Sequence, residues 1–189
     1  RSGTVLKSDF GIAKLEGGAG DSPDPFSVTA LKNGGFALVR YETVNMQRND
    51  FTYDVKMQLF SGTGAATSRE ITVHAATRGI IYSVDAVQLA TGEIVVVWQT
   101  PSSTDFPYDD VMGRMYDSSG NALTGQFHIA QYTVDNQETP EIQALAGGGF
   151  AVTFMSEQAD IDHDGIAARV FGRASAGNDR MIVDVTGYL

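Results

Sequence analysis

The chain has 189 residues and carries 23 acidic against 13 basic side chains, which gives a formal net charge of −10. Apolar residues make up 42% and charged residues 19%, a composition typical of a folded globular protein. The acidic balance disfavours binding to nucleic acid, and no apolar run approaches the roughly 18 residues of a membrane-spanning helix. The lack of cysteine excludes disulfides, thiol catalysis and cysteine-ligated zinc.

Three segments repeat one pattern, in which a strand end, a glycine-rich turn and a strand rich in apolar residues follow each other. They cover residues 31–41, 89–99 and 145–155. Phe36, Ile94 and Phe150 occupy the same place in each segment, at offsets of 58 and 56 residues. The pattern predicts one β-hairpin in each segment, closed by a two-residue turn.

Two further predicted strands follow each hairpin. Apolar residues alternate in 55–60, 111–116 and 166–171, as expected of a strand with one buried face. The fourth strand runs through Ile71, Phe127 or Ile182, always 16 residues after the start of the third. The sequence therefore predicts an all-β fold of tandem four-stranded antiparallel units, with little helix. Such units favour a β-propeller-like architecture, and a β-sandwich is the alternative.

The repeat divides the chain into units that cover residues 21–79, 80–137 and 138–189. Residues 1–20 are predicted to hold a lone fourth strand of a preceding unit, because 3–13 matches 120–130 at five positions. Three units are fewer than the roughly four to eight blades of a propeller. We therefore expect completion by further repeats of a longer array or by oligomerisation.

The best repeat unit runs from residue 89 to 130, and its Trp98 is replaced by Arg40 and Phe154 in the other two. Its pattern combines a hairpin of the Leu-x-x-Gly-Gly-Phe-x-Val-x-Trp type, an acidic loop, Tyr-Asp-x-x-Gly-Asn and a Phe-x-Ile strand. This pattern resembles the tandem, propeller-blade-like β-repeats of large secreted or surface bacterial proteins, which often also carry hemolysin-type calcium repeats. The resemblance implies an extracellular or cell-surface location and Ca²⁺, and it implies no reaction.

The loop between the second and third strands of the last unit has carboxylates at alternate positions. Asp160, Asp162 and Asp164 precede Gly165, as at the start of a calcium-binding loop. Later positions lack the expected carboxylate, so a full site would need backbone carbonyls or a side chain such as Glu157. We predict a weak Ca²⁺ site here, and a solvated acidic turn is the alternative.

The corresponding loops of the other two units keep two carboxylates each and are weaker metal candidates. These carboxylates are Asp105 and Asp109 in one loop, and Asp50 and Asp54 in the other. Aromatic residues stand beside them and are candidates for binding a sugar, because aromatic faces stack on sugar rings while carboxylates accept from hydroxyls. The aromatic candidates are Phe106, Tyr108, Phe51 and Tyr53. Packing of these rings onto their own unit is the alternative.

No catalytic constellation stands out in the sequence. His74 and His128 fall in fourth strands, which we expect to be outermost and solvated. Trp98 is predicted to pack in a core or between units, and Arg114 and Arg169 are predicted to bridge units. We therefore expect a non-catalytic structural or adhesive module that meets a glycan or cell-surface partner, without membrane insertion. A carbohydrate-binding module, free or attached to a secreted enzyme, is the alternative.

Overall fold

The computed structural model describes residues 11–12, 26–47, 50–78, 83–101, 108–131, 135–157, 165–172 and 182–184. Within these ranges the secondary structure is β-strand and turn, without helix. The strands are β1 (Phe26–Ala30), β2 (Phe36–Gln47), β3 (Asp50–Phe60), β4 (Ile71–Arg78), β5 (Val84–Gln88), β6 (Ile94–Pro101), β7 (Asp109–Tyr116), β8 (Phe127–His128), β9 (Gln137–Ala144), β10 (Phe150–Ser156), β11 (Gly165–Gly172) and β12 (Ile182–Asp184).

The strands form three four-stranded sheets that follow one another along the chain. We call β1–β4 unit 1, β5–β8 unit 2 and β9–β12 unit 3. Each sheet is an antiparallel meander, since every strand pairs with the next one in its unit. The registers are equivalent: the pairs are Phe36 with Phe60, Ile94 with Tyr116, and Phe150 with Phe171. The all-β fold of four-stranded units is thereby confirmed, and closure into a propeller stays a prediction.

A glycine with positive φ closes the first hairpin of every unit. Gly34, Gly92 and Gly148 have φ angles of 82°, 107° and 89°, a region that costs glycine little. The N–H of Gly34 donates to the carbonyl of Leu31 at 3.0 Å, and the N–H of Leu31 donates to the carbonyl of Gly35 at 2.9 Å. Three residues thus lie between Leu31 and Gly35, so the predicted two-residue turn is wrong. The longer loop needs one left-handed glycine in place of the special conformations of a tighter turn.

Both faces of the middle sheet are buried. One face packs against unit 1 in a core that includes Val39, Met57, Val96 and Trp98. The opposite face packs against unit 3 in a core that includes Val97, Ile129, Val152 and Phe171. Burial on both faces explains why β6 reads as a continuous apolar run instead of alternating.

The first strands of the three units lie side by side and form one edge of the stack. Asp85 in β5 connects them through its carboxylate. One oxygen accepts from the hydroxyl of Ser27 in β1 at 2.6 Å and from the N–H of Ala86 at 2.8 Å. The other accepts from the N–H of Ile142 in β9 at 3.0 Å. One half-buried carboxylate therefore joins all three units.

The segment from Asp50 to Asp54 was predicted as a loop, and it lies in β3 instead. Pairing of β2 with β3 continues to the register of Gln47 with Asp50, so little chain is left for a loop. The long hairpin buries Tyr53 on the core side, which stabilises the extension. Asp109 was also predicted to lie in a loop, and it is the first residue of β7 instead.

The three sheets fall within the predicted repeat ranges, except that Gln137 already belongs to β9. The predicted lone fourth strand in residues 1–20 lies outside the described residues, apart from Gly11 and Ile12.

Candidate functional site

The strongest predicted metal ligands cannot be placed, because Asp160, Asp162 and Asp164 lie outside the described residues. The same holds for Asp105 and Phe106. The backbones of Asp50 and Phe51 are part of β3, and their side chains lie outside the described part. The candidates that can be described are Tyr53, Asp54, Tyr108 and Asp109.

Tyr53 lies in the core between units 1 and 2, and Asp54 belongs to the ion pairs of unit 1. The ring of Tyr53 is buried and meets Tyr41 edge to face, with centroids 5.4 Å apart. Asp54 is also buried, and its carboxylate forms an ion pair with the ammonium of Lys56 at 2.8 Å. Lys56 in turn donates to the hydroxyl of Thr72 at 2.9 Å. These contacts favour the packing alternative for Tyr53 over sugar stacking.

Asp109 takes part in a polar junction between unit 2 and unit 3. Its carboxylate accepts from the side-chain amide of Gln99 at 2.6 Å, and its N–H donates to the side chain of Asn136 at 3.0 Å. The side-chain Oε1 of Gln99 accepts from the N–H of Thr139 at 3.1 Å. Burial raises the pKa of Asp109, and the bond from Gln99 opposes that shift. Tyr108, just before Asp109, is half-buried.

Asp110 faces the other way, toward unit 1. It is buried, and one of its carboxylate oxygens lies 2.5 Å from the Nδ1 of His128. Burial raises the pKa of Asp110, and the charge and hydrogen bond of His128 oppose the shift. Because successive residues of a strand point to opposite faces, Asp109 and Asp110 do not share one site. The adjacent carboxylates therefore do not form an acid–base pair.

Buried polar atoms without a hydrogen-bond partner lie on the face of unit 2 that meets unit 1. They include the indole N–H of Trp98, the hydroxyl of Thr100 and one carboxylate oxygen of Asp110, as judged within the described residues. Thr100 and Asp110 are direct cross-strand partners, so both side chains stand on that face. Such atoms cost stability when left without a partner, and they mark the least satisfied part of this junction.

His74 crosses the same junction. Its ring lies 5.5 Å from that of Trp98, between centroids, and its Nδ1 lies 3.0 Å from the side-chain oxygen of Gln126 in unit 2. Burial lowers the pKa of His74, while the bond to Gln126 and the charge of Asp54 raise it. His74 is half-buried instead of fully solvated as expected, because β4 packs against unit 2. His128 is more than half exposed, in agreement with that expectation.

One arginine in unit 2 and one in unit 3 connect each of these units to the one before it. Arg114 donates to the carbonyl of Val73 in unit 1 at 3.1 Å, and Arg169 donates to the carbonyl of Ile129 in unit 2 at 2.6 Å. Both guanidinium groups also lie over an aromatic ring of their own strand. The predicted bridging role of these residues is confirmed. Gln58 occupies the equivalent place in unit 1 and bonds the carbonyl of Ser68 within its own unit at 3.3 Å.

A shallow depression lies at the base of the third acidic loop. Its lining includes Asn136, Glu157 and Gly165, the residue that follows the acidic triplet. The carboxylate of Glu157 accepts from the side-chain amide of Asn136 at 2.8 Å and from its N–H at 3.2 Å. Within the described ranges, no three acidic or histidine side chains come together as a metal site.

Asp85 and Gln99 each form hydrogen bonds to a neighbouring unit, and sequence reasoning did not single them out. Each is a polar residue in a mostly apolar strand, at a position where the first repeat has another side chain with a polar group. Ser27 stands at the place of Asp85, and Tyr41 stands at that of Gln99. That interruption of the apolar pattern was the available signal.

Comparison with known proteins assigns no family. No family model matches the chain, and no curated protein matches it significantly. In the part of the chain that the structure describes, no helix is long and apolar enough to cross a membrane.

Proposed function

We propose that the chain is a non-catalytic structural or adhesive module of an extracellular bacterial protein, built to stack repeat units face to face. The observation that carries this proposal is the use of polar side chains at the junctions. Asp85, Gln99, Arg114 and Arg169 all bond to a neighbouring unit. Side chains engaged in this way stabilise an array and are not available for binding or catalysis.

The arrangement of titratable groups supports the non-catalytic part of the proposal. Asp109 and Asp110 have raised pKa values, as catalytic carboxylates often do. They point to opposite faces of one sheet, and each is engaged with a neighbour, Gln99 or His128. Burial at a junction between units explains the raised pKa values of both carboxyl groups, so neither value calls for a catalytic role.

Stabilisation by Ca²⁺ in the third loop belongs to the proposal. Asp160, Asp162 and Asp164 would supply carboxylate oxygens, and Glu157 borders the loop base. Because the later ligand positions lack carboxylates, we expect a dissociation constant of roughly millimolar order. Calcium at about ten times that concentration would add roughly 1.4 kcal/mol to the free energy of unfolding. For a chain of this length, that corresponds to a shift of roughly 3–6 °C in Tm.

Thermal unfolding with added Ca²⁺ and with excess chelator tests this proposal. We expect the wild type to melt higher in Ca²⁺, and Asp162→Asn to lose that response. Glu93→Gln is the matched control, since it removes one negative charge from the turn between β5 and β6 in unit 2, away from the third acidic loop. An equal melting temperature with and without Ca²⁺ would remove calcium from the proposal.

The carbohydrate-binding alternative rests on Tyr108, whose half-buried ring stands beside Asp109 next to the second loop. A panel of glycans tests it, with Tyr108→Ala and Phe106→Ala as variants. The scaffold proposal expects no glycan binding that these two substitutions abolish. Saturable binding that both variants lose, while their melting temperatures stay unchanged, would replace the scaffold role by a lectin role.

A further inference from the structure

Within the part of the chain that the structure describes, two sheet faces at opposite ends of the stack have no further sheet packed on them. We call the outer face of unit 1 the leading face; it includes Phe26, Val28, Phe36 and Leu38. We call the outer face of unit 3 the trailing face; it includes Met155, Ile166 and Val170. Strand registers assign these residues, since Phe26 pairs with Arg40 and Val28 with Leu38, while Met155 pairs with Ile166 and Ala151 with Val170.

The leading face repeats the positions that the other units bury. Val28 in unit 1 corresponds to Ala86 in unit 2 and to Ile142 in unit 3, by register with the second strand of each unit. Ala86 and Ile142 are 6% and 7% exposed because the preceding unit covers them, whereas Val28 is 57% exposed. Phe26 is 63% exposed, and the equivalent Val84 is 6% exposed. On β1, the leading face therefore exposes positions that are buried in the other two units, while Arg40 on the neighbouring strand is buried and pairs with Glu42 and Glu70.

The trailing face shows the same relationship in reverse. Val55, Val111 and Ile166 occupy one position, each paired across the sheet with the second strand. Val55 and Val111 are completely buried by the following unit, and Ile166 is 82% exposed. Its cross-strand partner Met155 is also exposed. Nothing in the described residues follows unit 3 to cover this apolar pair.

We propose that the leading face of one molecule docks on the trailing face of a second copy of this chain. The inference rests on the proposed scaffold role and names its partner. Continuity with the two internal junctions supports it, because each of them joins a trailing face to a leading face. The association is head to tail, so it extends into an open array or closes into a ring.

Glu141 provides a polar contact suited to this junction. It stands at the place of Asp85, since Asp85 pairs with Val97 and Glu141 with Thr153. Asp85 accepts from the N–H of Ile142 in the following unit. The exposed carboxylate of Glu141 would accept from the equivalent N–H of Val28 in the second copy.

The docked junction lacks one contact that the internal junctions have. Arg114 and Arg169 reach back to a carbonyl of the preceding unit, and unit 1 has Gln58 at that place. We therefore expect weaker association than within the chain, dependent on protein concentration. Gln58→Arg restores the missing donor and should tighten association several-fold.

At ionic strengths near 0.15 M, a Debye length of about 8 Å limits repulsion between two molecules of charge −10.

Sedimentation velocity over a range of concentrations tests the inference on the whole chain. The wild type should form species larger than a monomer, and Val28→Glu and Ile166→Glu should each stop growth of the array. Leu123→Glu is the matched control, because Leu123 is 54% exposed in the middle unit and belongs to neither end face. This control should associate like the wild type. Circular dichroism checks that all variants fold, which their exposed positions favour.

Mixing the two variants separates head-to-tail docking from other modes. Val28→Glu keeps an intact trailing face, and Ile166→Glu keeps an intact leading face. An equimolar mixture should therefore give a one-to-one dimer that neither variant alone forms, and the doubly substituted chain should stay monomeric. A monomeric wild type, or a mixture that does not dimerise, would overturn the inference. Either result leaves the calcium response unaffected, so failure of the docking and failure of the scaffold proposal are distinguishable.

Discussion

The guanidinium of Arg169 donates to the carbonyl oxygen of Ile129 at 2.6 Å and so joins unit 3 to unit 2. Arg114 makes the same connection to Val73 in unit 1 at 3.1 Å. Gln58 has no such partner in a preceding unit among the described residues, and it bonds within its own sheet. One strand position thus contributes to stacking in two units and to local structure in the first.

Arg169→Met should lower the free energy of unfolding by about 1–3 kcal/mol, because the buried carbonyl of Ile129 loses its donor. Gln58→Met is the matched control, and it should cost less than about 1 kcal/mol, since it removes a bond within one unit. Urea unfolding of both variants measures the difference. Equal losses would mean that the bond between units adds nothing to stability.

Asp85→Ala should destabilise the edge formed by the first strands of all three units together. It removes the acceptor of Ser27 and of the N–H of Ile142, which are 2.6 Å and 3.0 Å away. We expect a loss of about 1–3 kcal/mol for leaving buried donors without a partner. Hydrogen exchange followed by mass spectrometry should show faster exchange in β1 and β9 as well as in β5. Ser27→Ala removes a single bond and should accelerate exchange chiefly near β1. Faster exchange confined to β5 in Asp85→Ala would contradict a connecting role.

The repeat predicted the fold because it depends on local patterns: turn glycines, alternation and constant spacing. Equivalent pairs such as Phe36 with Phe60 and Ile94 with Tyr116 follow directly from that spacing. The bridging role of Arg169 could also be predicted, since a long basic side chain in an apolar strand needs an acceptor nearby.

The acidic segments were harder to place, because composition does not reveal how far a hairpin extends. Asp54 and Asp109 read as loop carboxylates, and pairing of the neighbouring strands drew both into the sheet. The connecting role of Asp85 could not be predicted from the sequence for a related reason. Two of its three hydrogen-bond donors come from the neighbouring units, and only the stacking of the sheets brings those two to the carboxylate.

The junction between units 1 and 2 should respond to pH through His74. Burial lowers the pKa of this ring below its ordinary value of 6.5, although Gln126 and the charge of Asp54 oppose the shift. The unfolded chain therefore binds a proton more readily than the folded chain below pH 6.5. This contribution to stability is complete above that pH and is lost as the pH falls through the lowered pKa.

His74→Gln should abolish the part of the stability loss that begins just below pH 6.5. Urea unfolding at a series of pH values measures it, with Trp98 fluorescence as a local signal because the two rings lie 5.5 Å apart. His128→Gln is the control, since it removes a largely exposed histidine, and it should leave the contribution of His74 in place. A pH profile of His74→Gln that parallels the wild type would exclude this coupling.

Substitutions of Trp98 distinguish a structural role of this residue from a ligand-binding role. Its side chain is completely buried between units 1 and 2, where it packs with His74. Trp98→Ala should cost about 3–5 kcal/mol, the usual loss for a large aromatic residue in a core. Trp98→Phe should cost clearly less, because the indole N–H has no acceptor among the described residues. Phenylalanine removes that unsatisfied donor, which is worth about 1–3 kcal/mol, and keeps most of the buried surface.

Urea unfolding and a glycan panel applied to both Trp98 variants decide between the two roles. A sugar platform predicts that Trp98→Ala loses binding and keeps wild-type stability, since an exposed ring contributes little to the core. A packing role predicts the reverse order: stability falls strongly for alanine and mildly for phenylalanine, whatever the glycan result. The measured stability of Trp98→Ala therefore tests the buried position directly, because removing a large side chain from between two packed sheets leaves a cavity that the neighbouring side chains fill only in part.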